Sequence, residues 1–242
     1  MNGSKNEKSD SPFFSVIITS YNRATLLKRA LDSLSAQTEK DWEAIVINDG
    51  STDHTHFMMQ SYLKRNRNII YIRQKSMGAT LSKNQGILLA KGKFITFLDS
   101  DDEYSPAHLE TRKAILIKNK DVEFLYGGVK VIGSEYVPDR HNYQKMVHLS
   151  TCAIGGTFFI KKAVSLLLDG FIEMPLGSDG DLFERAYNMG IKMLKTEIPT
   201  YIYHRETLNS ITNNLSGCMK PYGMAVDSSL DYKNSTKFDF MK

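Results

Sequence analysis

Cysteine is nearly missing from this 242-residue chain: Cys152 and Cys218 are the two, and no Cys-x-x-Cys pair or Cys/His ligand spacing occurs. That excludes a disulfide framework and a structural zinc site, and it suits a reducing compartment. Long apolar runs are missing too. The longest, near residues 16–18 and 87–90, fall far short of the ~20 residues that a bilayer-spanning helix needs. Residues 1–12 are polar, without the apolar centre of a secretion signal. The expected place is the cytosol, with peripheral contact at the inner face of a membrane as the nearest approach to lipid. No strong charge of one sign is present: 31 Lys and Arg stand against 27 Asp and Glu, a net +4. So small an excess suits an anionic ligand or an acidic surface and selects neither. The basic clusters at residues 64–67 and 118–120 fall at predicted helix ends, where solvent takes the charge, and no nucleic-acid partner is expected.

What is there is an ordinary globular composition, 41% hydrophobic and 24% charged, with length for one sizeable core. Apolar and β-branched runs at residues 14–19, 42–47, 69–73 and 94–98 read as strands. Between them lie helices with start signals at Asn22 and at Thr52 or Asp53, and a third helix running to Gly92. Strands alternating with helices predict an α/β fold with a mostly parallel sheet, and the ligand loops of such sheets lie at the carboxyl ends of the strands. After Pro106, placed to open a helix, alternation weakens. An apolar stretch at 122–132, a polar one to 150, a strand region at 154–160, a helix near 181–188 and strands near 192–197 and 201–204 suggest added antiparallel strands. The expected organisation is a disordered leader (1–12), one domain (13–215, with a nucleotide half to about 104 and an acceptor half beyond), and a tail (216–242).

Two acidic loops sit at that predicted edge. Asp99, Ser100, Asp101 and Asp102 follow the apolar run 94–98. On extended chain, residues two apart point the same way, so Asp99 and Asp101 would present two carboxylates to one centre. Carboxylates held that close call for a hard cation, Mg²⁺ or Mn²⁺, of the kind shared with phosphates. Helix capping ahead of Pro106 is the plainer use, but capping does not require such crowding. Asp49 and Asp53 flank Gly50-Ser51-Thr52, a turn and cap whose N–H groups suit a nucleotide's polar groups as well. His54 and His56 read as structural or exposed.

In order, Ser15 to Asn22, Ile45 to Asp53, Gly78 through Lys83-Asn84-Gln85-Gly86, and Phe97 to Asp102 resemble the successive motifs of the family 2 glycosyltransferases, inverting enzymes of the GT-A fold. The likeness runs over about residues 14–212. It implies a single Rossmann-like GT-A domain that takes a nucleotide diphospho-sugar, UDP-linked by default, and passes the sugar to a hydroxyl acceptor such as a saccharide or lipid-linked saccharide. By resemblance Thr19, Tyr21 and Arg23 would hold the base and ribose side, Asp49 would lie near the base, and Lys83 would face the nucleotide. Asp99, Ser100 and Asp101 would hold ribose, diphosphate and metal. Gly155-Gly156-Thr157 resembles the acceptor-side strand and Asp169-Gly170-Phe171 the segment before the catalytic loop. Asp179 then matches the general base. His204 resembles a third metal ligand or diphosphate contact, a satisfied histidine being the other reading, and Arg205 suits phosphate.

The chain departs from the pattern in three places. Ser178 stands where the family has Glu, Lys83 where Arg is common, and the Gln-x-x-Arg-Trp signature of processive members is absent, Trp42 being the one tryptophan. Single additions rather than polymerisation follow from the last. Two rivals remain. A phosphatase of the haloacid dehalogenase type also sets DxD after a strand, but at the start of its fold. A non-catalytic nucleotide-sugar binding module would explain Ser178.

Overall fold

The computed structural model describes residues 11–207. The boundary expected at 215, the tail, Cys218 and nearly all of the leader lie outside the described residues. Within them the first half alternates as expected: β1 (Phe14–Ser20), α1 (Ala24–Ser35), β2 (Trp42–Asn48), α2 (Thr55–Arg65), β3 (Ile69–Arg73), α3 (Ala79–Leu89) and β4 (Phe94–Phe97). β1 lies between β2 and β4, and β3 lies outside β2, all parallel. The order reverses at β1, so a crevice opens beyond the carboxyl ends of β1 and β4, where open α/β sheets bind ligands.

Period-2 alternation divides the core into two layers. Phe14, Val16 and Ile18 of β1 and Ala44 and Val46 of β2 pack with Leu27, Leu31 and Leu34 of α1 and Met59 of α2. Ile17, Ile45 and Ile47 face the other way, against Ile87 of α3. Both faces are covered, which is why these strands read as unbroken apolar runs.

The second half extends this sheet and adds two small ones. β5 (Glu103–Tyr104) and α4 (His108–Lys118) lead into β6 (Phe124–Tyr126), β7 (Val129–Ile132), β8 (Tyr136–Pro138) and β9 (Met146–His148). Then come β10 (Phe159–Lys161), α5 (Lys162–Leu167), α6 (Ser178–Asn188), β11 (Met193–Lys195) and β12 (Tyr201–His204). β10 inserts antiparallel between β4 and β6, giving the order β11-β6-β10-β4-β1-β2-β3. β5, β12 and β7 form a second sheet, and β8 with β9 a hairpin. No helix among the described residues is long and apolar enough to cross a membrane.

Several local expectations change. Asn22 does not cap α1: its φ is 51°, and its Oδ1 instead accepts from the Thr52 and Asp53 N–H groups at 2.8 and 3.3 Å. Asp53 serves both helices, accepting from Ala24 N–H and Thr55 N–H at 3.0 Å each. α3 stops at Leu89 rather than Gly92, since Ala90 already has extended backbone (ψ 137°), and Gly92 lies so close to β1 that an added Cβ would sit 2.5 Å from the Ser15 nitrogen. Gly127 and Gly128, with φ of 89° and 73°, split the apolar stretch 122–132 and send its halves to different sheets. Pro106 precedes α4 rather than opening it, since the helix starts at His108. Residues 155–157 are a 3₁₀ turn, with the strand beginning only at Phe159. The helix expected near 181–188 starts three residues earlier, at Ser178.

Candidate active site

The acidic loop leaves β4 as a turn. The Asp102 N–H donates to the Asp99 carbonyl at 3.0 Å, so Asp99 and Asp101 do not share a side by strand alternation, as extended chain would have it. Each carboxylate instead faces a cation: Asp99 Oδ1 is 3.1 Å from Lys83 Nζ, and Asp101 Oδ2 is 3.0 Å from Arg23 Nη1. Arg29 braces the turn from behind by donating to the Asp101 carbonyl. Burial pushes the Asp101 carboxyl up, and the Asp99 charge adds to this against the pull of Arg23. Ser100 is buried between them.

Asp102 has turned inward. It is 1% exposed and accepts from the Tyr201 hydroxyl at 2.6 Å and the His204 N–H at 2.8 Å, bolting the turn to β12. Burial, then the charges of Asp99 and Asp101, raise its pKa well above the ordinary carboxylate value, although both hydrogen bonds pull the other way.

Lys83 is the hub. It projects from α3 with Phe97 and Phe171 rings 5.9 and 5.5 Å from its Nζ. Burial opposes its charge, but Asp99, Asp179 and Asp101 together raise its pKa above the ordinary lysine value. Asp179 stands in the first turn of α6, where the helix N-terminus favours a carboxylate. Its Oδ2 accepts from Gly155 N–H at 3.0 Å, and an added Cβ at Gly155 would lie 2.6 Å from that carboxylate. Burial raises the Asp179 pKa, opposed by Lys83 and assisted by Asp99. A carboxylate so poised has the properties of a general base.

At the end of β2, Asp49 is already fully engaged. Its Oδ1 accepts from Gln74 Nε2 and Met77 N–H at 2.8 Å each, its Oδ2 from Ser76 Oγ at 3.0 Å and Gly78 N–H at 2.9 Å. Burial acts to raise its pKa, yet these bonds prevail and hold it below the usual carboxylate value. Asp49 therefore shapes the loop into α3. At the neighbouring end of β1, Thr19 is half-buried, Tyr21 is exposed and Arg23 reaches Asp101.

The late residues are engaged by neighbours, His204 as the satisfied histidine of the other reading. His204 Nε2 is 2.7 Å from Glu103, because β12 runs antiparallel to β5 beside it. Among the described residues no group of three or more His, Cys, Asp and Glu is arranged to hold a metal, so His204 is not gathered with Asp99 and Asp101 as a third ligand. Those two carboxylates, crowded at one turn, fit the smaller protein share of a Mg²⁺ or Mn²⁺ site completed by phosphate oxygens and water. Arg205 is buried and donates to the Tyr136 carbonyl at 3.4 Å. Residues that the sequence reading assigned no part are Asp102, Arg29 and Asn84, whose Oδ1 and Nδ2 pair with the N–H and carbonyl of Phe171 at 2.8 Å each. The one legible signal is that Asn84 adjoins Lys83 within the same motif, while its pairing with Phe171, 87 residues away, has no local pattern.

The description Glycosyl transferase family 2 matches residues 15–171, more than half of the chain. The chain belongs to this family. The matched stretch carries the acidic turn, Lys83 and the Asp49 loop, and ends before Asp179. Over 152 residues this family 2 chain is 30% identical to the UDP-Glc:alpha-D-GlcNAc-diphosphoundecaprenol beta-1,3-glucosyltransferase WfgD of Escherichia coli, covering 60% of this chain and 58% of that protein. Among solved structures it resembles S. aureus TarS 1-349 in complex with UDP-GlcNAc, with TM-score 0.66 and 23% identity over 79% of this chain and 58% of that one. It also resembles mannosyltransferase PcManGT from Pyrobaculum calidifontis in complex with GDP-Man and Mn²⁺, with TM-score 0.61 and 17% identity over 79% and 56%. At such identities the likeness shows the fold, GT-A. The chain spans less than two thirds of the length of each of these proteins.

Proposed function

We propose that this family 2 chain is an inverting glycosyltransferase, moving a sugar from a UDP-sugar to a hydroxyl on a saccharide or lipid-linked saccharide in surface-polymer synthesis. The observation that carries the reading is the position of Lys83, which bears on both Asp99 of the acidic turn and Asp179 of α6. Lys83 is thus paired with the donor-side Asp99 at 3.1 Å, and the charge of the acceptor-side Asp179 also acts on it at the sheet's ligand edge. The UDP-Glc of WfgD and the UDP-GlcNAc bound to TarS support UDP, and the Mn²⁺ of PcManGT supports a divalent metal.

In this reading Asp99 and Asp101 would hold Mg²⁺ or Mn²⁺, which would neutralise charge on the departing diphosphate. Thr19, Tyr21 and Arg23 line the base and ribose side, Ser100 adjoins the diphosphate, and Asp49 acts by shaping the loop that presents α3. Arg205 and His204 keep a share only if donor binding turns them from Tyr136 and Glu103. Asp179 takes the acceptor proton as the acceptor oxygen attacks the anomeric carbon from the face opposite the diphosphate. One carbon–oxygen bond forms, the bond to phosphate breaks, and configuration inverts. The place of work is the cytosolic side, at or near the membrane.

Calorimetric titration of UDP with and without Mn²⁺, on the wild type and Asp101→Ala, tests the donor site. Metal-dependent binding that disappears in the variant supports it. Failure of every nucleoside diphosphate under all metal conditions would end the transferase reading. Ser178, first residue of α6 where the family has Glu, keeps a non-catalytic binding module as the rival. That rival predicts donor binding with no turnover, even to water.

A further inference from the structure

The two helical layers differ in what they show to solvent. On the layer of α1, α2 and α4 the large exposed apolar side chains are Phe57 and Ile117. On α3 and α5 they collect: Leu81, Leu88 and Leu89 on the first, Leu166 and Leu167 on the second, with Leu88 at 71% and Leu167 at 61% exposure. Leu81 and Leu88 are seven residues apart on one helix and share a face. α5 packs against α3, so the two sets lie on neighbouring helices of one layer. The Asn84 pairing with Phe171 carries the apolar surface on to Ile172, also exposed, beside Lys83 and the acidic turn. At the opposite end lie Lys91, Lys93 and Lys162, the last donating its backbone N–H to the Lys93 carbonyl at 3.0 Å. Asp169 and Glu173 are exposed at the site end, and at the lysine end Glu123 is paired with Lys161 at 3.5 Å.

Aliphatic side chains exposed on two neighbouring helices, with lysines at the end away from the acidic turn, have the chemistry of a face that enters an anionic bilayer surface. We infer that the α3–α5 face docks on anionic lipid, laying the molecule on its side so that the site edge near Leu81 and Ile172 opens along the membrane. An acceptor anchored by its lipid would then reach Asp179 without leaving the bilayer. That last clause rests on the proposed transferase function, whereas the docking does not.

The test is co-flotation of the full chain with phosphatidylcholine vesicles, with and without phosphatidylglycerol, for the wild type and for Leu88→Asp/Leu167→Asp. Both leucines are exposed and outside the donor site, so melting and UDP binding should be unchanged in the variant. The expected result is flotation that needs phosphatidylglycerol, and a partition coefficient at least about tenfold lower in the variant, since burying one leucine is worth about that much. Equal partition of the two proteins would overturn the inference. So would a wild type that ignores vesicles and self-associates through this face, becoming monomeric in the variant. Vesicle binding in a protein that binds no nucleoside diphosphate would retain the docking face and remove the transferase.

Discussion

At the scale of single residues, Asp179 is held between opposing influences, with burial and Asp99 favouring its proton and Lys83 and the Gly155 N–H favouring its charge. A general base works deprotonated, so kcat should fall as pH drops through its pKa, with that limb above the ordinary aspartate range. Lys83→Met removes the largest lowering influence and should move the limb to higher pH in a kcat profile at saturating donor. Asp179→Asn should cut kcat by about 10²–10⁴-fold while calorimetry finds UDP affinity nearly unchanged. Loss of UDP binding in that variant would instead assign Asp179 to the donor site. Asp102 has a different task. Its folded pKa is raised, so its proton binds more tightly in the folded state, and the stability this adds, full below the unfolded pKa, is lost as pH rises through the folded value. Asp102→Asn keeps an acceptor, loses the buried charge and should flatten that pH dependence in urea melts. Asp102→Ala strands the Tyr201 hydroxyl and the His204 N–H and should cost about 1–3 kcal/mol per group.

At the scale of elements, the spacing between α3 and the sheet is set by Gly86, whose added Cβ would lie 2.5 Å from Ile17 Cγ2. Gly86→Ala should lower stability by about 1–3 kcal/mol, seen as a reduced urea midpoint, and weaken UDP binding by displacing Lys83. A small effect on both would mean that the helix shifts freely. The strands and helices up to β4 were legible because burial on both faces leaves continuous apolar runs between polar loops. The carboxyl-end loops could be placed on one edge for the same reason, and Asp99, Asp101, Lys83 and Arg23 do meet there. What hid was set by contacts between residues distant in sequence. Asn22 looks like a cap and is a clasp between two loops, Asp49 looks free and is saturated, and His204 is turned to Glu103 by a strand pairing that no local pattern announces. The second half read poorly because its strands are only two to four residues long, too short for a periodicity to show.

At the scale of the molecule, a donor that joins the acidic turn to the β1 and β2 loops should tie the nucleotide half together. In the presence of Mn²⁺, UDP at about 100 times its dissociation constant should raise the melting temperature by about 5–10 °C. Asp101→Ala should melt at the same temperature with and without UDP, and a persisting shift would place the donor elsewhere. The order of the large sheet has a consequence for synthesis. β4 is paired on one side by β1, but its other neighbour, β10, is made only after some sixty further residues have left the ribosome. Until then the nascent chain carries an open hydrogen-bonding edge along one of its most apolar strands, the kind of template on which partly made chains stick together. A fragment cut near residue 150 would retain the whole acidic turn and still precipitate, so chaperone demand during translation should peak while residues 98–160 are being made.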